Sequence, residues 1–345
     1  MTAEQVRCVV WDLDNTLWTG TLSEADACRL RPGVRAVLEK MNDRGILLSI
    51  ASANDHDRAI SLLEKKGLRD LFLHPQITWS SKVRSLQVIS EKLNLGLAAL
   101  GFVDDEPFER EQVRNVLPDV RVYPAGAYRS MVERPEFDPR VVTEESRGRR
   151  LKYADAIARR RFEKSSGMSR QEFLEYCQTK LRLRRASQVD APRILELLQR
   201  THQVNSTGVV HSRDVVAAFL NEPGCRVFVA ELADRFVDYG RIGVAMCRRR
   251  ERAWELVSFL LSCRVLSRGV SGVFLSWVQH QAGLDGALSF RGRYLATGQN
   301  QRMEMLYRLS GFELAEELGD GTKIFARPPA AQPVAPAWLT VEEEI

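Results

Sequence analysis

Four stations along the first hundred residues could together move a phosphoryl group. An apolar run, residues 6–11, ends in the string Asp12, Leu13, Asp14, Asn15, Thr16. Asp12 and Asp14 lie two apart, so an extended chain end sets both on one side. A second apolar run, residues 46–51, ends at Ser52, with Asn54 two positions on. Lys82 opens a helical stretch. A third apolar run, residues 100–103, ends at Asp104 with Asp105 beside it. A carboxylate at Asp12 can take phosphate as an aspartyl phosphate. Asp14 can protonate the leaving oxygen and then activate water. Ser52, Asn54 and Lys82 suit phosphoryl oxygens, and Asp12, Asp14 and Asp104 make a hard oxygen cage for Mg²⁺. Each residue alone is an ordinary turn residue. Together, in this order and each at a strand end or helix start, they describe a phosphotransfer site.

The elements that must hold these stations alternate. Apolar runs at 6–11, 46–51, 100–103 and 120–123 read as strands buried on both faces. Helical stretches at 34–43, 57–66, 82–93 and 113–117 separate them, with Gly45 and Gly67 as stops. Such alternation implies a doubly wound parallel sheet whose ligand crevice lies beyond the strand C-termini. The chain of 345 residues is long enough for two domains. Its net charge of +5 is too small to argue for nucleic acid. No apolar window is long enough for a membrane span, and no secretory signal is visible. The six scattered cysteines, with no C-x-x-C pair, point to a reducing cytoplasm.

The later chain reads as a second domain of mixed α+β type. Strands at 181–186, 227–232, 240–248 and 254–261 precede a Gly-rich turn around Gly269, then helices at 273–282 and 300–309. Cys263 lies just past the strand ending at 261 and can serve as a thiolate nucleophile. His202, in the string RTHQVNSTG, is a candidate base for it or a satisfied polar residue. The expected division is 1–125, a basic helical linker at 126–180, 181–327, and a disordered Pro-rich and acidic tail at 328–345. The linker carries seven Arg and Lys between 147 and 161 against Asp155 alone. With Arg248, Arg249, Arg250 and Arg252 it is a candidate docking face for an acidic partner.

The first half resembles the haloacid dehalogenase superfamily through DLDNT, Ser52, Lys82 and Val103-Asp104-Asp105. The short spacing from Asp12 to Ser52 implies a capless member. The turn near Gly269 and the run from Asn300 through Tyr307 to Phe312 resemble the GNAT acyltransferase fold. That resemblance implies Arg268, Gly269, Asn300 and Tyr307 as carrier or pantetheine contacts. Leu266 and Ser271 depart from its usual Arg and Gly, so a phosphopantetheine arm on a carrier protein is expected in place of free coenzyme A.

As a whole the chain resembles the FkbH-like family of polyketide biosynthesis. The strings are CVVWDLDNTLW, ASANDHD, FVDDEPFER, RTHQVNSTG and LSCRVLSRGV, within residues 1–327. The resemblance implies a Mg²⁺-dependent enzyme that takes 1,3-bisphosphoglycerate, removes phosphate and loads a D-glyceryl unit onto an acyl carrier protein. Cys263 would hold the glyceryl group, with Cys8 as the rival thiol. The product would feed hydroxymalonyl- or methoxymalonyl-type extender units. The alternatives are a plain Mg²⁺-dependent phosphatase with a vestigial second domain, and the same loading chemistry with another three-carbon donor.

Overall fold

A computed structural model describes residues 5–139, 141–330 and 332–344, and divides the chain into two compact units, 1–154 and 155–345. No described helix is long and apolar enough to cross a membrane. In the first unit five parallel strands lie in the order Gln76–Ile77, Leu47–Ser52, Cys8–Trp11, Leu100–Asp104 and Arg121–Pro124. The three central strands are buried along their whole length, as their unbroken apolar runs require. Helices Val34–Asp43, His56–Lys65, Lys82–Leu93 and Pro107–Val116 alternate with them. The last starts earlier than the 113–117 stretch read from sequence, because Pro107 sits in its first turn behind a Glu106 cap. Strand order reverses at Cys8–Trp11, which puts the switch-point crevice beside Asp12. Between that strand and helix Val34–Asp43 lie only a two-stranded hairpin and a short turn, so no large cap is inserted there.

The second unit is a mixed eight-stranded sheet under helices, the expected α+β class. Its order is Glu313–Glu317, Lys323–Arg327, Ser289–Tyr294, Ala253–Leu261, Asp238–Arg250, Cys225–Ala233, Thr179–Arg185 and Leu339–Glu344. Ala253–Leu261 runs antiparallel to Asp238–Arg250 and parallel to Ser289–Tyr294, through the crossover helix Val270–Leu284. The parallel pairing covers only residues 253–256 against 289–292; beyond it the two strands part.

Two expected boundaries are corrected. Residues 126–180 are not a linker: Tyr128, Met131, Val132 and Phe137 bury into the first core, while Phe173 and Cys177 are buried in the second unit. Apolar side chains that can reach a core do so at about 25 cal/mol per Å² buried, whatever the charge of the helix between them. Within the helix Arg149–Ser165, Arg150 is bonded to Asn42 and the Asp70 carbonyl, and Arg159 is buried against Asp234; Arg160 and Arg161 remain exposed.

The tail is not disordered either. It runs back along helix Val270–Leu284, with Pro329 near Gly283, the Ala330 carbonyl 3.3 Å from His280 Nδ1 and Trp338 beside Gly269. It then adds Leu339–Glu344 to the open edge of Thr179–Arg185. That helix is apolar nearly all round, and a helix of this kind needs cover on more than one side. Glu342 meets Lys180 and Arg182, each at 3.5 Å. Composition alone hides such anchors.

Candidate functional site

In the first unit, parallel register does the positioning. Trp11 pairs with Ile50 on one side and Val103 on the other, so the next residues, Asp12, Ala51 and Asp104, end their strands side by side. The Asp12 N–H extends the ladder to Val103 O at 2.9 Å. The following turn is closed by Asn15 in the left-handed region, φ 50°, a conformation Asn tolerates better than most residues. Its side chain accepts from the Gly20 N–H.

Lys82 enters from the start of its helix, capped by Ser81. Its Nζ donates to Asp12 Oδ1 and, at 2.8 Å, to Ala51 O. It ion-pairs with Asp104 Oδ2 at 3.2 Å, an oxygen otherwise buried without a hydrogen bond. Lys82, Asp12 and Asp104 are only 5%, 6% and 1% exposed. Burial pushes Asp12 well above the usual carboxylate range although Lys82 pulls it down, and burial raises Asp104 too. Burial opposes the Lys82 charge, yet the two carboxylates outweigh it and hold the ammonium more firmly protonated. One buried cation thus faces two buried anions.

Carboxylate oxygens of Asp12, Asp104 and Asp105 lie within 4.8 Å of one another. Asp105 is oriented by Thr16, whose hydroxyl donates to it and accepts from its N–H, both at 3.1 Å. Asp104 accepts from the Glu106 N–H at 2.8 Å. A net negative, all-oxygen cluster with one buried oxygen lacking a hydrogen bond fits a hard divalent cation such as Mg²⁺.

Asp14, expected beside Asp12 and Asp104 as a metal ligand, lies outside that group of three converging carboxylates. Its carboxylate accepts from Trp18 Nε1 at 2.9 Å, the Leu22 N–H at 3.1 Å and Asn54 Nδ2 at 3.2 Å. Asn54 also donates to Ser52 Oγ at 3.0 Å, so it links Asp14 to the buried hydroxyl expected to bind phosphate. A carboxylate held this way suits proton transfer better than metal ligation. Asp105 was legible as the second half of the Asp104-Asp105 doublet, and Thr16 as the end of DLDNT; their mutual bond was not.

In the second unit, Cys263 begins the turn Cys263–Arg268 directly after the Ala253–Leu261 strand, and the Ser262 N–H reaches Ile242 O. All six cysteines are described: five are buried and Cys263 is partly exposed. Cys8 has no exposed surface, lies inside the first sheet, and burial drives its thiol far above the normal range. Arg268 donates to the buried carboxylate of Asp234 at 2.6 Å and to the Tyr239 hydroxyl. Gly269, φ 65°, starts the following helix with Trp338 beside it.

Asn300 and Tyr307 depart from the expected pantetheine contacts, because neither has exposed surface. The Tyr307 hydroxyl donates to Arg293 O at 3.3 Å and its ring stacks on Phe325. Gly292 makes room for that ring: a Cβ there would stand 2.5 Å from it. Asn300 ties together residues 205, 295 and 297, and residues 204–206 fill the gap where Ala253–Leu261 and Ser289–Tyr294 part. His202, half-buried, lies between helix Ala191–Arg200 and this inserted run.

No protein-family profile and no curated relative matches the chain. Solved structures match it in part. The N-terminal part of the protein BF1531 from Bacteroides fragilis, containing a phosphatase domain complexed with Mg, is 25% identical over 39% of this chain and 40% of its own, with a TM-score of 0.35. A putative GNAT-family acetyltransferase from Desulfovibrio desulfuricans is 18% identical over 44% of this chain and 99% of its own, TM-score 0.36. The ribosomal-protein-S18-alanine N-acetyltransferase of Escherichia coli is 17% identical over 46% and 97%, TM-score 0.35. This chain spans less than half of the BF1531 structure. At these TM-scores the likenesses are partial, and the chemistry is read from this chain's own residues.

Proposed function

We propose that the chain is a bifunctional glyceryl transferase and phosphatase that acts on 1,3-bisphosphoglycerate and loads an acyl carrier protein. The observation that carries this reading is the presence, in one chain, of a built phosphoryl site and a single partly exposed thiol at the end of an internal strand. The acyl phosphate of the donor is an activated mixed anhydride. Cys263 attacks its carbonyl carbon, phosphate leaves, and the glyceryl group stays as a thioester. The 3-phosphate is an unactivated ester and needs the first site. There Asp12 attacks phosphorus, Asp14 protonates the departing alkoxide and then deprotonates the water that hydrolyses the aspartyl phosphate. Ser52 and Lys82 hold the phosphoryl oxygens. Asp12, Asp104 and Asp105 would hold Mg²⁺, which when bound offsets repulsion between carboxylates and phosphate. The thiol of a carrier's phosphopantetheine arm then collects the glyceryl group from Cys263.

Intact-protein mass spectrometry tests this. The protein is incubated with Mg²⁺ and freshly generated 1,3-bisphosphoglycerate, then digested to locate the adduct. A glyceryl or phosphoglyceryl thioester on the Cys263 peptide, absent in Cys263→Ala, is expected. Phosphate release with no adduct, followed by no loading of added carrier protein, would reduce the chain to a phosphatase.

A further inference from the structure

We propose that Trp18 is a positioning residue for proton transfer: its indole N–H, with the Leu22 N–H, fills Asp14 Oδ1, so that Oδ2 carries the proton given to the leaving oxygen. This deepens, and rests on, the phosphatase reading of the first unit. Asp14 Oδ1 accepts from Trp18 Nε1 at 2.9 Å and from the Leu22 N–H at 3.1 Å. Asp14 Oδ2 accepts from Asn54 Nδ2 at 3.2 Å. A carboxylate offers about four lone-pair sites, two on each oxygen. Both on Oδ1 face nitrogens that can only donate, so a proton has no place there. One site on Oδ2 remains for it. Asn54 Nδ2 also donates to Ser52 Oγ at 3.0 Å, so Oδ2 is the oxygen on the side of the buried hydroxyl expected to bind phosphate.

The chain builds this arrangement locally. The N–H groups of Thr16, Leu17 and Trp18 all donate to Leu13 O, at 3.2, 2.8 and 3.3 Å, and that turn folds Trp18 back beside Asp14. Trp18 then pairs with Leu30 across the hairpin. Its ring has no exposed surface and belongs to the first core with Leu13, Leu17 and Leu22. A ring fixed by packing fixes the direction of its one polar atom. Burial alone does not demand the bond to Asp14: Trp11 and Trp277 are also buried, and their Nε1 atoms have no hydrogen bond. Leu22 is held in turn by Arg58 of helix His56–Lys65, which donates to Leu22 O at 3.2 Å.

In the first step a carboxylate oxygen of Asp12 bonds to phosphorus. The bond from phosphorus to the ester oxygen breaks, and the departing oxygen takes the proton from Asp14 Oδ2. In the second, water attacks the phosphorus of the aspartyl phosphate and gives a proton to Oδ2. The bond from phosphorus to Asp12 breaks, and its electron pair returns to the carboxylate. Oδ1 keeps both donors throughout, so the same oxygen serves both steps.

The test compares two esters whose leaving groups differ in their need for a proton. The alkoxide of 3-phosphoglycerate needs one; p-nitrophenolate departs without it. With Mg²⁺ present and enzyme in excess, the first turnover is quenched at intervals, glycerate being read by mass spectrometry and nitrophenolate by absorbance. Trp18→Phe should slow glycerate release about tenfold, part of the roughly 10²–10⁴-fold that a positioned acid supplies, and slow nitrophenolate release less than about threefold. In an Asp14→Asn background the same change should slow neither further, because Trp18 acts through Asp14. Equal losses with both esters, no loss with either, or a further loss in the Asp14→Asn background each overturn the positioning role. If circular dichroism shows Trp18→Phe unfolded, 3-benzothienylalanine at position 18, which keeps the indole shape with sulfur in place of N–H, is read by the same criteria. A wild type that hydrolyses neither ester overturns the phosphatase reading and this proposal with it; a wild type active on both, with variants that lose both equally, overturns this proposal alone.

Discussion

Lys82→Met removes the one cation from the buried carboxylate cluster and keeps a side chain of similar length. It leaves Asp12 and Asp104, 6% and 1% exposed, with no counter-charge, and strips a hydrogen bond from Ala51 O. Breaking a buried ion pair from one side costs about 3–5 kcal/mol. For a unit of this size, each kcal/mol moves Tm by roughly 2–4 °C. The first-unit transition in EDTA should therefore fall by roughly 6–20 °C. Because Asp12, Asp104 and Asp105 converge, a divalent cation can replace part of the missing charge. Mg²⁺ at about a hundred times its dissociation constant returns about 2.7 kcal/mol. The variant should accordingly recover between about half and about nine tenths of its lost stability in Mg²⁺, without recovering phosphate hydrolysis. Differential scanning calorimetry in EDTA and in Mg²⁺ reads both arms. A metal-free variant within about 2 °C of the wild type, on the scale just given, would refute the reasoning: the carboxylates would then not need Lys82.

Other outcomes separate the roles of individual residues. Asp105→Ala should raise the Mg²⁺ concentration for half-maximal phosphatase activity about tenfold or more, since affinity follows ligand charge count. Asp14→Asn should leave that concentration unchanged while turnover falls about a hundredfold or more, read by phosphate release across a Mg²⁺ titration. Burial opposes ionisation of Asp190, but Arg184, the Ser187 N–H and Arg241 outweigh it and hold the carboxyl down at about 2. Its contribution is full above the ordinary value of about 3.9 and is lost as pH falls through 2, some 2–3 kcal/mol, so Asp190→Asn should flatten the stability profile over that window in chemical denaturation. Reversing exposed Arg160 and Arg161 to Glu should slow carrier loading and weaken its dependence on ionic strength, measured from 50 to about 500 mM salt.

The residues that were legible in sequence were those set by one strand end each. Asp12, Ser52 and Asp104 follow apolar runs, and parallel register carries the three to one edge without further information. Lys82 was equally legible, because Ser81 marks where its helix starts. Asp14 was read from its spacing both as the acid and base and as a metal ligand. What decides its role is Trp18, Leu22 and Asn54 closing around it, and those contacts span turns whose geometry no periodicity encodes. Asn300 and Tyr307 fail for a related reason. A resemblance to a ligand-binding motif does not reveal that residues 204–206, far back in the chain, already occupy the gap between the two diverging strands. The tail was misjudged because Pro and Ala dominate its composition, whereas Trp338, Leu339 and Val341 anchor it to the second core.

That tail has a consequence for association between molecules. The strand Leu339–Glu344 closes the edge of Thr179–Arg185 in parallel, after residues 328–330 and 332–338, which belong to no helix or strand. A closing strand on such a tether can leave its own sheet and close a neighbour's with the same hydrogen bonds, so concentration alone selects between the two. Cutting the chain after Arg327 would remove the choice: the bare edge and the uncovered flank of Val270–Leu284 would recruit whatever strand came near.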